Sequence, residues 1–175
     1  MVKVLEIGSG LQPYRGKEGE EVIHLDKIPF PEVEVVWDLE ITPYPFPDDT
    51  FDKVIANHCI EHLSDTIKVL AELWRISKNK AEIFIRVPYY SSYLAFQDPT
   101  HKRFFTEETF RYFTKERPIS FSSPVNFSLK SVNYFYQYPR FARFLKKFFP
   151  LLYRFLKNHL LNFIKEIEVE LVVEK

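Results

Sequence analysis

Val4-Leu5-Glu6-Ile7-Gly8-Ser9-Gly10, three residues into a 175-residue chain, decides the fold. The apolar run 2–7 reads as a buried strand that enters a turn only glycine makes easily. The chain has four glycines, Gly8, Gly10, Gly16 and Gly19, all within its first twenty residues. Such sparing use places them where the backbone needs positive φ or close approach of a ligand. An acid at the strand tip followed by Gly-x-Gly suggests a nucleotide-type site, with a tight structural turn as the alternative.

Working outward, strand and crossover signals alternate. The runs 21–26 and 33–37 are the second and third strands, each meeting an acid, Asp26 and Asp38. Pro43, Pro45 and Pro47 then force an extended connection. Residues 51–57 form the fourth strand. Ser64 is the expected N-cap of a helix with Asp65 in its first turn, and Ile67, Leu70, Ala71 and Trp74 are spaced to face a sheet. Residues 81–87 form the fifth strand, stopped by Pro88. This alternation predicts a mostly parallel α/β sheet whose ligand lies at the strands' carboxyl ends. Those ends carry Glu6–Gly10, Asp26, Asp38, Asn57-His58 and Pro88–Tyr90.

After Pro88 the pattern changes. Asp98-Pro99-Thr100-His101 reads as a loop, Thr106 as the cap of a short helix through Phe113, and 125–136 as a strand or strand–loop segment. Two helices broken at Pro150 are expected over 139–149 and 151–164. Ile167, Val169, Leu171 and Val173 then alternate with glutamates, the mark of an antiparallel or edge strand with one wet face.

One domain with a sizeable core is expected at this length, and 46% hydrophobic content with 18 Phe and 10 Tyr excludes a disordered chain. Zero formal net charge argues against a bulk nucleic-acid binder. The charge is uneven, however: residues 1–60 carry 12 acidic and 5 basic side chains, and 139–165 carry 7 basic and no acidic ones. The lone Cys59 excludes an internal disulfide framework. Lys3 and Glu6 interrupt the only N-terminal apolar run, and no uncharged apolar run is long enough to span a bilayer, so a cytoplasmic location is expected.

A dinucleotide fold needs G-x-G-x-x-G opening a full helix. Here Pro13 takes the third glycine's place, and the second strand starts too soon after Gly10 for such a helix. Asp26 stands where a carboxylate can hold a ribose diol, and Asp38-Leu39 where an adenine can be read. Taken in order, VLEIGSG, His24-Leu25-Asp26, WDLE, FPDDTFD, NHCIEHL and Asp98-Pro99-Thr100-His101 resemble class I S-adenosylmethionine-dependent methyltransferases, most closely the type 11 branch. The resemblance covers roughly residues 1–115. It implies a Rossmann-like sheet with an antiparallel last strand, and S-adenosylmethionine as cofactor. It further implies that Glu6, Gly8 and Gly10, with Ser9 between them, surround the methionine part, Asp26 the ribose, and Asp38 and Leu39 the adenine. Asn57 and His58 would lie near the donor methyl. The chain departs from the pattern in its shortened first crossover, and in Lys78-Asn79-Lys80 where a Pro-Gly-Gly turn is usual.

The resemblance divides the single domain into a cofactor core (1–115), an acceptor-side or lid segment (116–165) and a last strand (166–175). His58 and His101 are candidate general bases toward a small-molecule acceptor, because histidine suits proton transfer near neutral pH. His58-x-x-Glu61-His62 also matches an inverted zinc-protease signature, but begins at a strand end and lacks a third ligand, so no metal is expected there. A methyltransferase-like binding subunit without activity is the other alternative. The basic, aromatic stretch 139–164 is a core cover, a lid, or a surface for an anionic membrane or a partner protein.

Overall fold

Alternating β-branched and aliphatic residues build the sheet. The structure, a computed structural model, describes residues 1–117 and 125–175, so the part of the 116–165 segment at 118–124 lies outside the described residues. The strands are β1 (Val2–Ile7), β2 (Glu20–Asp26), β3 (Val35–Val36), β4 (Phe51–Asn57), β5 (Ser77–Pro88), β6 (Phe127–Tyr136) and β7 (Ile164–Val173). They form one sheet of order β3-β2-β1-β4-β5-β7-β6, in which β7 runs antiparallel to both of its neighbours. The expected mostly parallel sheet with a reversed last strand is therefore present. β7 is not an edge strand, because β6 covers it.

Register assigns the two faces. Leu5 pairs with Val54 and Ile23, Val54 with Ile83, and Ile83 with Leu171. Leu5, Val54, Ile83 and Leu171 are fully buried in the core, and burying each such side chain contributes about 1.5–3 kcal/mol. The adjacent positions, among them Glu6, His24, Ile55, Phe84 and Glu170, fall on the opposite face by the same period of two.

Three helical elements follow β4 and β5: a 3-10 turn (Ile60–His62), α1 (Thr66–Ile76) and α2 (Leu94–Gln97). α3 (Glu107–Arg111) is capped by Thr106 through a reciprocal capping box, as expected. α4 (Pro139–Phe148) and α5 (Pro150–His159) each begin on a proline, whose missing N–H costs nothing in a first turn. Between β1 and β2 there is no helix, only a loop with Gly8, Gly10, Gly16 and Gly19 all at positive φ.

Several sequence expectations need correction. The N-cap of α1 is Asp65, which accepts from Ile67 N and Lys68 N at 3.1 Å, while Ser64 N and Oγ both donate to Glu40. Its buried stripe is Val69, Leu70, Leu73 and Ile76, and Ile67 is exposed. The helix carries two apolar stripes, and Trp74 stays at the rim because its indole N–H donates to Glu174 O at 3.1 Å. β5 begins at Ser77 rather than 81, running straight out of α1, with Lys80 at φ 68° where the register against β4 shifts. Ile164 opens β7 instead of closing a helix, since Asn162, which tolerates the left-handed region, turns the chain at φ 59°. β3 is only two residues long, although Glu34 N and Trp37 N prolong its ladder to His24 O and Asp26 O.

From β1 the chain steps one way to β2 and β3, then returns to β4 on β1's other side. This reversal leaves a crevice above the carboxyl ends of β1 and β4, where open α/β sheets bind ligands.

Candidate cofactor cleft

The glycine turn forms the floor of that crevice. Gly8 follows the last residue of β1 at φ 63°, and a Cβ there would lie 2.5 Å from Cys59 Sγ. Gly10 sits at φ 59°, and its N–H donates to Asp26 Oδ2 at 3.0 Å. Asp26 is buried at the tip of β2 and also accepts from Ile28 N at 2.9 Å through Oδ1. Two backbone donors thus fix the carboxylate plane while leaving further lone pairs on each oxygen.

A cleft of about 420 Å³ opens here, its lining including Gly8, Asp26, Asp38, Leu39, His58 and His62. Ile28, Phe30, Trp37 and Leu63 add an apolar wall, and Thr100 and Lys102 close the far side. Glu40 and Lys102, both in its lining, pair at 2.8 Å, and that hydrogen bond holds the Glu40 carboxyl below its ordinary value. Loop 98–103 is pinned beneath them, as Lys102 N and Arg103 N donate to Glu61 O at 2.8 and 3.2 Å.

His58 occupies the turn after β4 at φ 48°, a conformation uncommon for a side chain of this size. Its Nδ1 lies 3.2 Å from Glu61 Oε1, and the Glu61 hydrogen bond raises the imidazole's pKa above the usual histidine range against the opposing effect of burial. Cys59 is buried, and burial pushes its thiol well up, which removes it as a nucleophile.

The remaining expected residues sit as follows. Glu6 is buried on the sheet's other face, where Oε2 accepts from Tyr14 N at 2.8 Å and lies 2.9 Å from His24 Nδ1. It anchors the loop that replaces the first crossover helix. Ser9 is buried, and its Oγ has no hydrogen-bond partner among the described residues. Asn57 is exposed and lines a neighbouring shallow cleft with Lys53, Phe84, Arg86 and Glu168. His101 Nδ1 lies 3.0 Å from Ala95 O, and the ring packs edge-on against His62. Sequence reasoning missed Ile28 and Phe30. Their signal was two apolar residues, each followed by proline or set between prolines, directly after the acid at a strand tip.

The sequence profile of the methyltransferase-domain family matches residues 18–85, which run from β2 through most of β5. Over that stretch the chain is similar to the methyltransferase-domain family. A 41-residue stretch is 46% identical to ajmaline N-methyltransferase of Rauvolfia serpentina, covering 23% of this chain and 14% of that relative's length. The fold superposes on an S-adenosylmethionine-dependent methyltransferase of Archaeoglobus fulgidus with a TM-score of 0.66 at 20% identity, covering 98% of this chain and 86% of the other. It also superposes on phosphoethanolamine N-methyltransferase 2 of Haemonchus contortus in complex with S-adenosyl-L-methionine. There the TM-score is 0.61 at 17% identity, covering 99% of this chain and 49% of the other.

S-adenosylmethionine is the cofactor of this family, and the residues of the cleft suit it. An oriented buried carboxylate, Asp26, and the apolar side chains of Ile28, Phe30 and Leu39 in one cleft are the kinds of group that a ligand with both hydroxyls and an aromatic base requires.

Proposed function

We propose that the chain transfers a methyl group from S-adenosylmethionine to a small-molecule acceptor. The observation that carries this reading is the single cleft at the strand-order reversal lined jointly by Gly8, Asp26, Asp38, Leu39 and His58. When bound there, the cofactor supplies an electrophilic methyl carbon on a sulfonium for in-line displacement. Asp26 holds the ribose hydroxyls, Leu39, Ile28 and Phe30 enclose the adenine, and Asp38 accepts from its amino group. Ser9 and the backbone of Gly8 and Gly10 bind the methionine part, and Glu6 holds the loop that carries them. His58, which faces the cleft from β4, is placed to accept a proton from a hydroxyl acceptor. His101 is the other candidate for that role, because Nδ1 donates to Ala95 O and Nε2 keeps its lone pair.

Calorimetric titration tests this directly. S-adenosylhomocysteine is expected to bind one equivalent, and NAD is not. Binding of NAD alone would overturn the reading. Tight S-adenosylhomocysteine binding without methyl transfer to any of a panel of amines, hydroxyls and carboxylates would instead favour the non-catalytic binding subunit. The zinc-hydrolase alternative is not supported by the placement of its motif, since His58 Nδ1 turns to Glu61 Oε1 at 3.2 Å and the possible metal ligands that come together are Glu61, His62 and His101, without His58.

We infer that α4 and α5 dock on an anionic membrane surface. Phe141, Phe144, Phe148, Phe149, Leu151 and Phe155 are exposed there, amid a run of 7 basic and no acidic side chains over 139–165. No helix of the described residues is long and apolar enough to cross a membrane, so contact would be peripheral. A cytoplasmic location and an acceptor delivered from that surface accord with this placement. The chain is expected to co-sediment with vesicles containing phosphatidylserine and not with neutral ones. At about 1 kcal/mol per basic residue near the surface, Arg140→Ala with Arg143→Ala should cut partitioning about 30-fold. Equal binding to both vesicle types would refute it.

A further inference from the structure

We propose that Glu61, His62 and His101 form a site for one divalent transition-metal cation, zinc by preference, beside the cofactor cleft. The three residues come from two elements: the 3-10 turn after β4 supplies Glu61-His62, and loop 98–103 supplies His101. The backbone hydrogen bonds from Lys102 N and Arg103 N to Glu61 O hold those elements together. One ligand atom from each residue lies within 4.8 Å of the other two. A tetrahedral ion with bonds of about 2.0–2.1 Å places its ligand atoms about 3.3 Å apart, so modest side-chain rotation closes the set.

Three observations point to a cation and not to a merely structural cluster. Glu61 is 1% exposed, and its Oε2 has no hydrogen-bond partner among the described residues. The His58 contact accounts only for Oε1. A buried carboxylate oxygen left without a donor is costly, and a cation removes that cost. Secondly, the tautomer of each histidine is set for ligation. His101 Nδ1 can only donate to Ala95 O, because a carbonyl offers no proton, and this leaves a lone pair on Nε2. His62 Nδ1 meets Thr100 Oγ1, whose own proton goes to Asp98 Oδ1 at 2.7 Å. Thr100 must therefore accept from His62, and again Nε2 is free. An outer hydrogen bond that fixes the ring in this way is the usual companion of a metal-bound histidine. Thirdly, two imidazoles and one carboxylate match the donor set of zinc sites with an open position, and not the all-oxygen sets of magnesium or calcium.

The site differs from the one suggested by H-x-x-E-H in the sequence. His58 belongs to the cleft, and His101, 39 residues after His62, takes its place. His62 lines the cleft as well, so an open coordination position would meet an acceptor oxygen there and lower its pKa. That role rests on the methyltransferase reading; metal binding does not.

The full chain, stripped with a chelator, is to be titrated calorimetrically with zinc and followed by visible absorption with cobalt(II). One zinc per chain is expected, with cobalt bands typical of mixed nitrogen and oxygen ligation. His62→Ala and His101→Ala should each weaken zinc binding by at least about 100-fold, and Thr100→Val, which keeps both histidines but removes the outer hydrogen bond from His62 together with the Thr100–Asp98 bond behind it, by about 10-fold or more. Circular dichroism matching the wild type shows that each variant is folded, and the milder Thr100→Val variant keeps the test decisive if an alanine variant unfolds. No zinc uptake by the wild type, unchanged affinity in the folded variants, or a preference for magnesium would each overturn the proposal. Loss of the metal result with S-adenosylhomocysteine binding intact sinks this site alone, whereas zinc binding without S-adenosylhomocysteine binding sinks the cofactor reading.

Discussion

Asp26→Ala is expected to weaken S-adenosylhomocysteine binding by about 1.5–3 kcal/mol, or about 10- to 150-fold in dissociation constant. Under the proposed function, the interactions lost would be charge-assisted hydrogen bonds from ribose hydroxyls to a carboxylate already shielded from water. The same substitution leaves Gly10 N and Ile28 N without their acceptor, so the glycine turn loosens as well. Asp26→Asn separates the two effects. Its amide oxygen can serve one backbone donor and keeps the shape, but it removes the charge and one acceptor. It should fall between wild type and Asp26→Ala. Calorimetry on variants whose circular dichroism matches the wild type provides the measurement. Unchanged affinity in a folded Asp26→Ala protein would remove Asp26 from the ribose role.

Gly8→Ala should destabilise the protein by about 2–5 kcal/mol. A left-handed conformation costs a non-glycine residue about 1–2 kcal/mol, and forcing a methyl group into a packed site about 1–3 kcal/mol more. The second contribution arises because the new Cβ would lie 2.5 Å from Cys59 Sγ and 2.8 Å from Cys59 Cβ, leaving no room without a backbone shift. Gly10→Ala is the internal control. Its φ is nearly the same at 59°, yet nothing lies within 4 Å of the added methyl, so only the conformational cost of about 1–2 kcal/mol applies. Urea unfolding of both variants reads the difference. If the two lost equal stability, close approach of the Cys59 loop would not be what selects glycine at position 8.

The strands were legible wherever they were buried runs with clear stops. Residues 51–57 form a strand over the same bounds in sequence and structure, because Asp49 and Thr50 turn the chain in and His58 turns it out. α1 was legible as a helix but not in its orientation. Ile67 and Trp74 mark one stripe, Val69, Leu73 and Ile76 another, and only packing against the sheet selects between them. The ends of α5 and β7 were misplaced because Leu160-Leu161 and Phe163-Ile164 are both apolar, and a single left-handed asparagine divides them.

Glu6 shows how a residue's position can be legible in the sequence while its partners are not. Its place before Gly8 marked it as functional, yet the parallel register of β1 and β2 sets it opposite His24, and the short loop brings Tyr14 N to the same oxygen. Neither partner follows from spacing along the chain.

The class of cofactor was implied by a family resemblance, whereas by itself the sequence determined the parallel sheet, the glycine turn and the acids at the strand tips. Each of these depends on short-range rules: side-chain period, backbone freedom at glycine, and the position of a carboxylate just beyond a strand. Only the tertiary structure decided that His101 stands beside Glu61 and His62, and that His58 faces the cleft while Asn57 does not. Those placements depend on two backbone hydrogen bonds between segments 40 residues apart and on one left-handed residue at a strand end, which no local pattern encodes.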